Sequence, residues 1–255
     1  MGTGWRTVWI TGASTGIGRA LAVALAERGV RVAASARSAD KLAHLAAEYS
    51  GIAPLPLDVT DLRAMTQAAR SIEGTLGPID LVVLNAGIGE SMHSRNFSAA
   101  KAGRLMAVNY QGVLNGIEAV LPSMLARRAG HIALMGSVAG YRGVPPGAAY
   151  GPTKAAVINL GEALRRDLAL SGITISLINP GYVETSMSGA NKFEMPYIIS
   201  AEDAAARIVH GLRKGKFEVA FPWQAVALTK LGRAMPNWLY FWYARHILGP
   251  PRRQW

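Results

Sequence analysis

Six short apolar runs punctuate the chain: RTVWIT (6–11), VRVAASA (30–36), IAPLPLDV (52–59), IDLVVLNA (79–86), HIALMGS (131–137) and ITISLINP (173–180). Near-continuous apolar runs of this length are what strands buried on both faces of a parallel sheet require. The stretches between and after them, 17–28, 39–49, 61–76, about 98–128, 150–170 and 201–214, carry small and apolar residues three and four apart, the spacing of a helix face. FEVAF (217–221) reads as a seventh strand. Strict alternation of strand and helix predicts right-handed crossovers and a doubly wound, mostly parallel α/β sheet with helices on both faces. No internal repeat or linker breaks the pattern, so residues 1–221 read as one domain, with 222–255 as a helical extension of it.

The chain has 255 residues, half of them hydrophobic and 17% charged, which suits one large core and not a disordered segment. The absence of cysteine excludes disulfides and thiolate-bound metal centres, fits a reducing compartment and points to the cytoplasm. No metal site is expected. The opening MGTGWRTVWITG lacks the basic start and apolar core of a signal peptide, and Arg6 stands where a myristoylation pattern needs Ser or Thr. No run of about eighteen apolar residues reads as a membrane span. The formal charge of +11 raises nucleic acid as a partner, but the basic residues are spread along the chain without a binding motif, so none is expected.

The first strand runs into TGASTGIGRALAVALAERG. Gly12, Gly16 and Gly18 stand where a strand must turn tightly and a helix must begin. Without Cβ atoms, this backbone lets a diphosphate approach, and the following helix offers free N–H groups and a favourable dipole. Ser14 and Thr15 add hydroxyl donors. After the second strand an NAD site would place an acid against the ribose 2′-hydroxyl. Here Arg37 and Ser38 stand instead, and no acid precedes Asp40. A guanidinium grips a 2′-phosphate that a carboxylate would repel, so the cofactor reads as NADP(H).

Farther on, Tyr150 and Lys154 stand four apart in AAYGPTKAAV, on one face of a helix and in otherwise apolar company. A free tyrosine titrates near pH 10, too high for proton transfer at neutrality, and a fixed ammonium nearby should bring it down. TGASTGIG, NAG (85–87), Asn109, Ser137, the Tyr150/Lys154 pair and NPGYVET (179–185) occur in the order and spacing of the short-chain dehydrogenase/reductase family. Over about residues 5–220 the chain closely resembles that family's compact form. The resemblance implies a Rossmann fold and a catalytic set of Asn109, Ser137, Tyr150 and Lys154. Tyr150 would be the general acid for carbonyl reduction or the base for alcohol oxidation. Lys154 would hold the nicotinamide ribose and help the phenolate form, Ser137 would orient the substrate oxygen, and Asn109 would hold a water relaying protons to Lys154. Asn85, Ala86 and Gly87 would line the cofactor cleft together with Ile17, and Asp58 and Val59 would meet the adenine. Pro180, Gly181, Val183 and Thr185 would bracket the nicotinamide. The resemblance also implies a homodimer or homotetramer paired through helices 98–128 and 149–170. Two departures, Leu84 before Asn85 and Pro152 inside the motif, touch no catalytic side chain; Pro152 is tolerated only in a first turn, which predicts a helix starting close to Tyr150.

Specificity should lie in 87–97, 139–148 and 186–199, the last resembling a lid. Met187, Phe193, Met195 and Tyr197, with Tyr141 and Val144, point to an apolar pocket and a hydrophobic carbonyl or alcohol substrate, whereas His93 and Arg95 read as surface residues. Beyond 221 the chain leaves the family pattern. Trp223, Trp238, Tyr240, Phe241, Trp242, Tyr243 and Trp255 are interleaved with Lys230, Arg233, Arg245, Arg252 and Arg253, in two short helices broken at Pro236. That mixture suits a pocket wall or subunit contact, and also a membrane surface. An NADP(H)-dependent oxidoreductase is the leading reading; a non-catalytic dinucleotide sensor or a membrane-surface scaffold is the alternative.

Overall fold

The computed structural model describes residues 4–185 and 196–246. Seven parallel strands form one sheet in the order β3-β2-β1-β4-β5-β6-β7. They are β1 (Thr7–Thr11), β2 (Arg31–Ala36), β3 (Ile52–Pro56), β4 (Leu81–Leu84), β5 (Gly130–Met135), β6 (Ile173–Pro180) and β7 (Glu218–Phe221). The sheet is the doubly wound one the sequence predicts, with one correction. Beyond buried Ile52, β3 alternates between half-buried and exposed residues instead of being covered on both faces. It is an edge strand, and Pro54 and Pro56, which cannot donate to a ladder, belong there.

Alternate residues of each central strand feed two cores. Val8, Ile10, Leu81 and Val83 pack on one face with Leu21, Leu25, Leu42 and Ile208, from α1 (Gly16–Ala26), α2 (Ala39–Glu48) and α7 (Ala201–Arg213). Trp9, Val82 and Leu84 pack on the other with Met65, Ile72, Val113, Ile117 and Val157, from α3 (Leu62–Thr75), α5 (Gly112–Arg127) and α6 (Tyr150–Asp167). Each buried leucine or isoleucine contributes about 1.5–3 kcal/mol by leaving water.

The helix expected over 98–128 is in three parts: α4 (Ala99–Met106), a π-helical turn at Ala107–Gln111, and α5. α6 starts at Tyr150, with Pro152 in its first turn as the proline rule requires. The extension forms α8 (Trp223–Ala234) and α9 (Asn237–His246), parted at Pro236. Buried Tyr240 donates to the Gly143 carbonyl at 2.8 Å, and Arg142 lies 4.3 Å over its ring. Trp255, Arg252, Arg253, Met187, Phe193 and Met195 lie outside the described residues.

Candidate active site

Strand order reverses between β1 and β4, and in doubly wound sheets the crevice that takes a ligand lies at the carboxyl ends of the strands at such a point. Gly12 (φ +68°) and Gly16 (φ +55°) take left-handed backbone just beyond β1. The turn leaves no room for side chains: a Cβ on Gly18 would fall 2.3 Å from the Gly12 carbonyl oxygen, and one on Gly12 would fall 2.8 Å from Ala86 Cα. Asn85 Nδ2 donates to the carbonyls of Thr11 and Gly12 at 2.9 and 3.2 Å. Thr11 Oγ1 accepts from the amides of Asn85 and Ala86, both at 3.1 Å. The end of β4 is thus tied to the glycine turn. Thr11 was not singled out from sequence, although its place one residue before the first glycine marks it.

α1 has no side-chain cap from Thr15 and no acid in its first turn. By contrast, Asp61 caps α3 by accepting from the Arg63 and Ala64 amides at 2.8 and 3.1 Å, and Ser200 caps α7. With no side-chain cap from Thr15, the first-turn N–H groups and the helix dipole of α1 fit an anion. Thr185 lies across the turn: a Cβ on Gly16 would meet its Cγ2 at 2.9 Å. Val183 is buried and bridges to Ile199, and the Gly181 amide donates to the Phe221 carbonyl at 2.7 Å. Ser14 and Ile17 are half-buried in the turn, and Thr15 is exposed.

Arg37 and Ser38 are exposed where β2 ends. The Thr60 amide, 2.9 Å from Asp58 Oδ1, leads the effects that hold the Asp58 carboxyl below its usual range; the Thr60 hydroxyl and the Arg37 charge act the same way, against partial burial. Arg37 and Asp58 therefore lie close at one end of the crevice. Val59 is buried beneath them, its carbonyl accepting from Asn115 Nδ2 at 2.8 Å. These features fit a dinucleotide laid from α1 across the ends of β1 and β4.

The chemical end gathers four side chains from three elements. Ser137 follows β5, Tyr150 and Lys154 open α6, and Asn109 sits in the π turn. Such turns recur at functional sites because they push a side chain off the ordinary helix face. Asn109 is fully buried; its Nδ2 donates to the Ile88 carbonyl at 2.9 Å and to Thr153 Oγ1 at 3.1 Å, and its Oδ1 accepts from the Ile88 amide at 2.8 Å. Thr153 in turn donates to the Tyr150 carbonyl at 2.8 Å. The Asn109 side chain is a strut between the loop after β4 and the first turn of α6, engaged by protein partners. Thr153, inside YGPTK, was not singled out from sequence.

Lys154 is 3% exposed and donates to the Met135 carbonyl at 2.8 Å, and burial brings its pKa down to about 8. Its Nζ lies 5.6 Å from the Tyr150 ring centre. Tyr150 departs from expectation. Burial pushes its pKa up to about 12, while a hydrogen bond with Ser137 works to lower it. The ammonium is held by the Met135 carbonyl, and among the protein's own groups desolvation prevails. Ser137 Oγ donates to the Pro180 carbonyl at 3.3 Å and accepts from the Ala139 amide at 3.2 Å.

Around Tyr150 the lining is apolar: Met92, Leu105 and Ala149 cluster with Ile88 and Ala102. Loop 87–97 meets loop 139–148 through the Met92 amide and the Pro146 carbonyl, 3.0 Å apart. Val144 and Tyr197 are exposed, as are His93 and Arg95. Tyr141, expected in the pocket, is buried, and its hydroxyl donates to the Glu218 carboxylate, which also accepts from Asn179 Nδ2 at 2.9 Å and from Lys230. Tyr141 therefore ties loop 139–148 to β7 and α8. Glu218 had no signal in sequence.

A family model described as short chain dehydrogenase matches residues 6–195. An uncharacterized oxidoreductase of Myxococcus xanthus is 36% identical over 95% of this chain and 98% of its own. A short chain dehydrogenase from Burkholderia cenocepacia, solved in complex with NADP, superposes with a TM-score of 0.83 at 27% identity over 98% of this chain and 100% of that one. A short chain dehydrogenase/reductase from Burkholderia phymatum, solved in complex with NAD, gives 0.82 at 25% identity over 89% and 92%.

Proposed function

The chain belongs to the short-chain dehydrogenase family, a family of oxidoreductases, and on that premise we propose that it uses NADP(H) to interconvert a hydrophobic carbonyl compound and its alcohol. The observation that carries this reading is the meeting of Ser137, Tyr150 and buried Lys154 beside an uncapped glycine turn.

In the proposed reduction the hydride would come from NADPH held at this turn. Tyr150 Oη gives its proton to the substrate oxygen as negative charge develops there, and Ser137 Oγ, turning its proton from the Pro180 carbonyl, donates to the same oxygen and orients it. Lys154 keeps a positive charge at the base of the site at neutral pH, because even its lowered pKa of about 8 leaves it mostly protonated. Only one of its three donors is given to Met135, which suits a ribose hydroxyl as a second partner. Asn109 and Thr153 fix the first turn of α6 and so keep Tyr150 aimed. Arg37 supports NADP over NAD by its place at the end of β2 and its charge. The apolar cluster of Met92, Leu105 and Ala149 supports an apolar substrate. Exposed Met106 on α4 and Leu125 on α5 support pairing into a homodimer or tetramer, and the absence of cysteine supports a cytoplasmic setting.

The test is a titration with NADPH and NADH followed by tryptophan fluorescence, then a screen of hydrophobic ketones and aldehydes. Selective NADPH binding that Arg37→Asp removes, with NADH binding little changed, is the expected result. Equal losses for both cofactors overturn the phosphate clamp.

A further inference from the structure

α8 and α9 are built the wrong way round for surface helices. A helix on a globular protein turns its apolar stripe inward. In α9 the residues three and four apart, Trp238, Phe241 and Trp242, share one face, and they are 72%, 64% and 52% exposed. The opposite side supplies Tyr240, which is the residue that docks the helix. In α8, Trp223, Leu228 and Leu231 are likewise exposed. Leaving six large apolar side chains in water is costly unless something covers them.

Charge identifies the cover. All sixteen acidic residues of the chain lie at or before Glu218, and beyond it come Lys230, Arg233, Arg245, Arg252 and Arg253 with no Asp or Glu. Lys230 and Arg233 pair with Glu218 and Glu162. Arg245 continues the spacing of the aromatic face itself. A symmetric contact between two copies would set this acid-free segment against itself, like charge on like. Tryptophan and arginine on one helix face match the headgroup region of an anionic bilayer, where the ring sits at the boundary and the cation meets phosphate. Among the described residues no helix is long and apolar enough to cross a membrane, so the contact would be in the plane of the surface.

We propose that the outward face of α8 and α9, centred on Trp238, Phe241, Trp242 and Arg245, binds the surface of membranes containing anionic phospholipid. α9 is fastened to the substrate loop through Arg142 to Asn237 at 2.8 Å and Tyr240 to Gly143. Docking there sets the cleft against the lipid, where an apolar substrate would be concentrated; this last step rests on the function proposed above, whereas the binding itself does not.

Flotation of the full chain with phosphatidylcholine vesicles, with and without phosphatidylglycerol, tests it. The wild type should float with the anionic vesicles, weakly with phosphatidylcholine alone, and progressively less as salt is raised. The Trp238→Ser/Phe241→Ser/Trp242→Ser variant should lose roughly tenfold or more in vesicle affinity, and Arg245→Glu should weaken only the anionic component. NADPH titration of the same variants, expected unchanged, separates failure of this face from misfolding and from failure of the cofactor reading. Wild type that ignores both vesicles, or a triple variant that floats as well as wild type, overturns the proposal. So does a triple variant that falls apart in sedimentation from an oligomer that never bound lipid, which would make the face a subunit contact.

Discussion

Replacing Lys154 by Met removes a charge that the fold holds against its own desolvation. Burial lowers the pKa of this lysine from 10.5 to about 8, a difference that corresponds to about 3 kcal/mol. At pH 7 both the folded and unfolded wild type carry the charge, so that penalty is present in full. Methionine has nearly the same length and no charge, but it leaves the Met135 carbonyl without the ammonium donor, a loss of about 1–2 kcal/mol. The variant should therefore be about 1 kcal/mol more stable at pH 7 while turnover collapses. The sign with pH follows from linkage. Between pH 8 and 10.5 the unfolded lysine binds a proton that the folded one has lost, so wild-type stability rises with pH. Between pH 7 and 10 the wild type should gain about 2.5 kcal/mol on the variant. Urea unfolding of both proteins across that range, followed by circular dichroism, measures the difference directly, and the other lysines and tyrosines cancel in the comparison. A difference that stays flat with pH would refute the claim that burial strains this ammonium.

Three further outcomes can be checked separately. Tyr150→Phe should lower kcat by about 10²–10⁴ if the phenol is the proton donor, with NADPH affinity within about threefold because the ring remains; retained turnover would assign the proton elsewhere. His131, buried against Ser176 at 2.9 Å, has its pKa brought from 6.5 down to about 4 by burial. Its unfolded form takes a proton first, so stability should fall by about 3 kcal/mol between pH 7 and 4, and His131→Gln should flatten that part of the acid limb in urea titrations. Gly18→Ala puts a Cβ 2.3 Å from the Gly12 oxygen; it should cost about 1–3 kcal/mol in stability and weaken cofactor binding tenfold or more, measured by unfolding and by NADPH titration.

The α/β alternation was legible because it is local: period and run length depend on neighbours a few residues apart, and each central strand carries its burial on its own side chains. The glycine turn and the Tyr150–Lys154 spacing are local too, and both stand where sequence reading puts them. The edge position of β3 was written in Pro54 and Pro56 but was read past, since the surrounding run is apolar.

What needed the tertiary structure lies in pairs far apart along the chain. The uninterrupted helix expected over 98–128 breaks into a π turn because Asn109 must reach Ile88 and Thr153 at once, and helix periodicity carries no trace of a partner on another element. The Tyr150 phenol sits higher than its neighbouring lysine implied, because desolvation depends on everything packed around a group and not on spacing. Glu218 became visible only when β7 came to rest beside Asn179 and Tyr141. The same holds for the tail: its amino acids named the aromatic and basic content, but which of them face water was decided by how Tyr240 and Arg142 seat α9 on loop 139–148. Sequence by itself determined the fold and the chemical groups available; packing decided their ionisation and their partners.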